Sequence, residues 1–111
     1  MNLYPNIRYI LQRIVELEGL ADRVSFEKCR ITEDFTSGMG ASFSIQDAKV
    51  SISEKLVAGD DIAGCLVNST TLLRFVLVLD HFGDGDLEIF TNEGEDYPHD
   101  LGTISLFHTS P

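Results

Sequence analysis

Leu72-Leu73-Arg74-Phe75-Val76-Leu77-Val78-Leu79-Asp80-His81-Phe82-Gly83-Asp84-Gly85-Asp86-Leu87-Glu88-Ile89-Phe90-Thr91 is the stretch that decides the fold. Its first part, Leu72 to Phe82, contains the longest apolar run of the chain, Phe75 to Leu79. A run of five, apolar on both faces, fits a strand in a central position in the sheet. Phe82 to Asp86 carries turn residues, and Leu87 to Thr91 alternates again as a returning strand. Asp84-Gly85 is a favoured two-residue hairpin turn, because both central positions require positive φ. That register sets Gly83 opposite Asp86, Phe82 opposite Leu87, His81 opposite Glu88 and Leu79 opposite Phe90. A three-residue loop would instead set Asp80 against Glu88, a like-charge pair that costs stability. The two-residue turn is therefore expected, with His81 and Glu88 as a charge pair.

Upstream, Pro5 suits a first helical position. Ile7, Ile10, Leu11, Ile14 and Leu17 then form one stripe of a 3.6-residue period. Arg8, Gln12, Arg13 and Glu16 fall on the other side, and Gly19 is a natural terminator. The helix carries arginines early and Glu16 and Glu18 late, against its macrodipole, so packing of the stripe must hold it. Arg23 to Ile31 reads as a strand with a bulge, since Cys29 and Ile31 reverse the parity of Val24 and Phe26. Ser37 to Gly40 reads as a loop. Ala41 to Ile45 and Lys49 to Ile52 read as strands joined at Gln46-Asp47. Residues 53–70 fit either a strand or a short helix between turn signals at Gly59-Asp60-Asp61 and Asn68-Ser69-Thr70. An acidic loop spans Asn92 to Gly102. Thr103 to Thr109 closes the chain as a strand with Ile104, Leu106 and His108 on one face. The expected fold is α+β: an N-terminal amphipathic helix packed on a mainly antiparallel sheet of five or six strands, in a single globular domain over residues 1–111.

Charge is distributed unevenly. Residues 1–58 carry seven basic and eight acidic side chains, whereas residues 59–111 carry Arg74 alone against ten acidic ones, within a net charge of −10. Eight carboxylates fall between Asp80 and Asp100 with no Lys or Arg among them: Asp80, Asp84, Asp86, Glu88, Glu93, Glu95, Asp96 and Asp100. Such a field repels nucleic acid and anionic lipid, and attracts a cationic partner across a Debye length of about 8 Å. The composition, 43% hydrophobic and 23% charged, is that of a folded globular protein rather than a disordered one. No signal peptide or membrane-spanning run is visible, so a cytoplasmic location is expected. Cys29 and Cys65 lie in apolar stretches and read as buried thiols rather than a disulfide.

The chemistry-bearing patterns fail at particular positions. A calcium loop starting at Asp80 would place Phe82 and Thr91 where oxygen ligands are required. His81, His99 and His108 lack the spacing of a metal site, and no metal or cofactor is expected. There is no Gly-x-Ser-x-Gly elbow, neither cysteine has a cluster of basic neighbours, and no Lys follows Gly38-Met39-Gly40. Catalysis is not expected.

The acidic segment therefore carries the functional reading. Asp86, Glu88 and Phe90 share one strand face, so an apolar anchor sits beside a carboxylate ridge. Asp80, Asp84, Asp86, Glu88, Phe90, Glu93, Glu95, Asp96, Tyr97 and Asp100 are the candidate partner-binding residues. The expected function is inhibition of a basic protein, as by an immunity or antidote protein that covers the cationic surface of a nuclease-type toxin. Two alternatives stand beside it: an acidic mimic occupying a nucleic-acid-binding groove, and an enzyme or small-ligand domain with a site invisible in sequence.

Overall fold

The computed structural model describes residues 5–36, 40–66, 70–91 and 104–109. Among these residues one helix, α1 (Pro5–Leu17), precedes nine strands: β1 (Val24–Ser25), β2 (Arg30–Thr36), β3 (Gly40–Gln46), β4 (Lys49–Val50), β5 (Leu56–Ala58), β6 (Ile62–Leu66), β7 (Leu72–Leu79), β8 (Gly85–Thr91) and β9 (Ile104–His108). The α+β class is as the sequence implies. Seven strands rather than five or six form the main sheet, in the order β2-β3-β8-β7-β6-β9 with β5 also paired to β7, and β1 and β4 make a separate two-stranded ribbon. All of these pairings are antiparallel.

The helix obeys its stripe. Ile7, Ile10, Leu11, Ile14 and Val15 are fully buried, and they belong to one apolar cluster with Phe43, Phe75, Leu77, Leu87 and Ile89 of the sheet. It ends in the two bonds of a Schellman motif: Gly19 N–H donates to the Glu16 carbonyl (3.1 Å) and Leu20 N–H to the Val15 carbonyl (2.7 Å). Gly19, at φ 74°, supplies the left-handed step this ending needs.

β7 lies inside the sheet, paired to β8 on one side and to β5 and then β6 on the other. Its burial alternates, however. Leu73, Phe75, Leu77 and Leu79 are buried, while Leu72, Arg74, Val76 and Val78 are only half-covered. One face of the sheet therefore meets the helix, and among the described residues the other is only partly covered.

Three sequence expectations are corrected. Arg23 to Ile31 is not one bulged strand. The chain turns at residues 26–29 and passes from the ribbon into the main sheet, and that change of sheet is what reverses the parity. Likewise β3 and β4 are not neighbours, since β4 pairs with β1 and β3 with β2 and β8. The third correction is the β7–β8 register, which sets Leu79 opposite Gly85, Leu77 opposite Leu87 and Val76 opposite Glu88. The connection is residues 80–84 rather than Asp84-Gly85, and His81 does not face Glu88. Gly85 belongs to the strand because a Cβ there would lie 1.8 Å from the Val78 carbonyl oxygen. The ambiguous region 53–70 contains β5 and β6, which run along the same side of β7 and are separated by a jog at residues 59–61.

Candidate functional site: an open sheet face bordered by carboxylates

Residues directly opposite each other in antiparallel strands project to the same face, so the register maps the uncovered side of the sheet. One row runs Phe90, Arg74, Ala63, Phe107 across β8, β7, β6 and β9, and it is covered at its centre, where Ala63 is buried, so that Phe90 and Phe107 are exposed at its two ends. A second runs Ser42, Glu88, Val76, and a third Ser44, Asp86, Val78, Val57. Phe90 (40%), Phe107 (42%) and Val57 (59%) are the exposed large apolar side chains of these rows. Asp86 and Glu88 are exposed between them, on one strand with Phe90.

Among the described residues of these rows, each carboxylate faces uncharged partners. Asp86 lies between Ser44 and Val78, and Glu88 between Ser42 and Val76. Asp34, next along the sheet, accepts a hydrogen bond from Ser44 Oγ at 2.5 Å and extends the negative edge. The base within the rows, Arg74, directs its Nη2 to the Asp60 carbonyl at 3.0 Å. The face therefore offers apolar ground with a carboxylate margin, on strands that cannot shift independently.

The other candidate residues divide by role. Asp80 serves its own loop: its Oδ1 accepts the backbone N–H of Phe82 at 2.9 Å and of Asp84 at 3.0 Å. Those bonds, the one from Asp84 foremost, hold the Asp80 carboxyl below the usual carboxylate range. Asp84 reaches across to accept the Asp47 N–H at 3.0 Å, tying the loop to the β3–β4 turn. Ala48 N–H donates to the Gly83 carbonyl at 3.0 Å in the same junction. Glu93, Glu95, Asp96, Tyr97 and Asp100 lie outside the described residues. Phe82 sits on the loop 71% exposed, its ring 4.0 Å from that of His81.

Sequence reasoning missed Phe107 and Val57. Phe107 had a usable signal, since its parity is opposite to that of Ile104 and Leu106; Val57 lay in the region left ambiguous. It also misread Arg8 as a solvated helix residue. Its guanidinium donates to the Phe26 carbonyl, to Cys29 Sγ (3.3 Å) and to the Cys29 carbonyl (3.1 Å), pinning the turn at 26–29. Both cysteines are thiols. Burial pushes the Cys29 thiol up from its ordinary value, which makes it a poor nucleophile.

Elsewhere, a broad cleft of about 530 Å³ is lined by Arg8, Tyr9, Gln12, Ser25 and Glu27. Its arginine is the one already committed to the turn. Glu18, Asp61 and His108 converge from three elements, with one acceptor or ring nitrogen of each within 4.8 Å of the others. Among the described residues no helix is long and apolar enough to cross a membrane.

Comparison with known proteins finds no matching family model and no significant match to a curated protein or a solved structure.

Proposed function

We propose that this chain is a small acidic inhibitor that binds a basic protein, of the kind an immunity or antidote protein blocks in a nuclease-type toxin. The observation that carries the reading is the open sheet face, where exposed Phe90 and half-covered Val76 and Val78 adjoin Asp86 and Glu88. Interfaces draw their affinity from a few aromatic anchors and their orientation and on-rate from complementary charge. A nuclease that grips phosphates is cationic around its site, so an acidic cover both speeds encounter and excludes substrate. The partner is a protein rather than nucleic acid, the reading has no catalytic step, and it places the chain in the cytoplasm.

The test is affinity capture from the source cells with three baits in parallel: the wild-type chain, the Asp86→Lys/Glu88→Lys variant and Phe90→Ala. A basic protein retained by the first bait should be lost from the second, with a cost of several kcal/mol for the reversed charges. Truncating Phe90 should cost about 2 kcal/mol if it is a central anchor. Association should slow steeply as salt rises while dissociation changes less. Arg13, exposed on the helix beside Glu16, is the control, and its replacement should leave binding unchanged. A partner that holds the charge-reversed bait at full strength, or that touches only the helix, defeats the reading.

A further inference from the structure

At the C-terminal end of α1, three parts of the chain far apart in sequence meet through polar groups. Glu18 follows the last turn of the helix, Asp61 sits in the jog between β5 and β6, and His108 ends β9. His108 Nε2 lies 2.9 Å from the Leu17 carbonyl, which can only accept, so that nitrogen carries a proton. Its Nδ1 lies 3.5 Å from Asp61 Oδ2. Thr109 donates its N–H and its hydroxyl to the Asp61 carbonyl at 2.8 and 3.1 Å, fixing the jog against the end of β9.

Two oxygens remain unaccounted for. Glu18 Oε1 and Asp61 Oδ1 are each shielded from solvent, and neither has a hydrogen-bond donor. Two ionised carboxylates cannot satisfy one another, because both only accept. A carboxylate oxygen of Glu18 and one of Asp61 lie within 4.8 Å of each other, so a proton held between the two groups supplies the donor that both lack. The setting favours that proton on Glu18. The residue stands at the negative end of the helix dipole, with Asp60 and Asp61 as the carboxylates facing it and the His108 ring beside them.

We propose that Glu18 and Asp61 share one proton, making the junction of α1, the β5–β6 jog and β9 a pH-sensitive clasp that opens as the solution turns alkaline. The hydrogen bond to Asp61, then burial, raises the Glu18 carboxyl to about 7, within the range where cells regulate pH. The same bond lowers Asp61 from its ordinary value. Because Glu18 is raised, its contribution is full below the ordinary glutamate range and is lost as pH climbs through about 7. Asp61, being lowered, contributes above its ordinary value and loses that contribution only as pH falls. The clasp is tightest in the mildly acidic interval between the two. Opening it loosens β9, whose Phe107 lies on the open sheet face, so the clasp and that face share a strand. The inference stands whether or not the face binds the partner proposed above.

The direct test is a carboxyl-carbon NMR titration of Glu18 in the full chain, in the presence of a chelator. The expected midpoint is close to 7, falling by about two units toward the ordinary glutamate value in Asp61→Asn, whose amide donates to Glu18 and favours its charge. Thermal melts give a second readout. The wild-type melting temperature should fall between pH 5.5 and 8, the fall should vanish in Glu18→Gln, and it should persist in His108→Gln. A Glu18 midpoint in the ordinary range, or a pH profile of melting unchanged by Glu18→Gln, overturns the clasp. A midpoint that collapses when zinc or manganese replaces the chelator at micromolar concentration would assign the three groups to a cation instead, and overturns it equally.

Discussion

Asp80 shows how one carboxylate can settle the path of a chain. Its side chain accepts two backbone N–H groups of the loop it begins, its own N–H donates to the Asp84 carbonyl at 2.9 Å, and Gly83 N–H returns to the Asp80 carbonyl at 3.1 Å. Gly83 is needed inside this ring, at φ 87° and with a Cβ position 1.9 Å from the Ala48 carbonyl oxygen. The lowered Asp80 carboxyl means that its contribution is present above the ordinary aspartate value and is lost as pH falls through the lowered one. Asp80→Asn should therefore melt below wild type at neutral pH, with the gap closing as the solution is acidified toward pH 2.5. A gap that stays constant over that range would mean the charge contributes nothing and only the shape of the side chain matters. Gly83→Ala should destabilise by more than about 2 kcal/mol, as left-handed strain adds to a backbone clash, and a urea titration measures it.

At the scale of elements, the helix was legible almost residue by residue, because its stripe, its opening proline and its closing glycine all agree. The β7–β8 pair was legible as a pair and misread in register. Local turn chemistry favoured Asp84-Gly85, and avoidance of the Asp80–Glu88 clash removed the three-residue loop. Neither criterion bears on core parity. The two-residue turn would set Leu79 opposite Phe90 and so place Asp86, Glu88 and Phe90 on the buried face. The observed register keeps Leu87, Ile89 and Thr91 with Leu77, Phe75 and Leu73 on the inner side, and also avoids the like-charge pair. The price is a longer loop, which the Asp80 side chain organises. Alternation along β8 does not depend on register, which is why the shared face of Asp86, Glu88 and Phe90 was readable while its neighbours were not. The clasp was unreadable for a different reason: no local pattern links Glu18, Asp61 and His108, and only closure of the sheet brings them together. A double-mutant cycle checks the register in solution. Val76→Lys opposite Glu88 should show a favourable coupling of about 0.2–1 kcal/mol with Glu88, lost in Glu88→Gln. The His81–Glu88 cycle should give none, and a coupling found there instead would restore the shorter turn.

Over the whole molecule, shape and charge act together. The chain spans 38 × 37 × 21 Å, and its thin dimension fits one sheet with a single helical layer on one side. The second sheet face is thus a broad surface that α1 does not cover. The net charge of −10 acts against the compact state by self-repulsion and in favour of a cationic partner, and salt screens both effects. The two consequences have opposite signs. Raising sodium chloride from 20 to 500 mM, which shortens the Debye length from roughly 20 Å to about 4 Å, should stabilise the free protein, with each 1 kcal/mol gained appearing as about 4 °C in melting temperature for a domain of this size. Over the same range, association with a basic partner should weaken. Asp86→Lys/Glu88→Lys should reduce both responses, because it removes charge from the face that generates them. A free protein whose melting temperature is flat or falls with salt would show that its carboxylates are dispersed enough not to repel one another. The open face would then lose the electrostatic half of its case, leaving Phe90, Phe107 and Val57 to account for any binding.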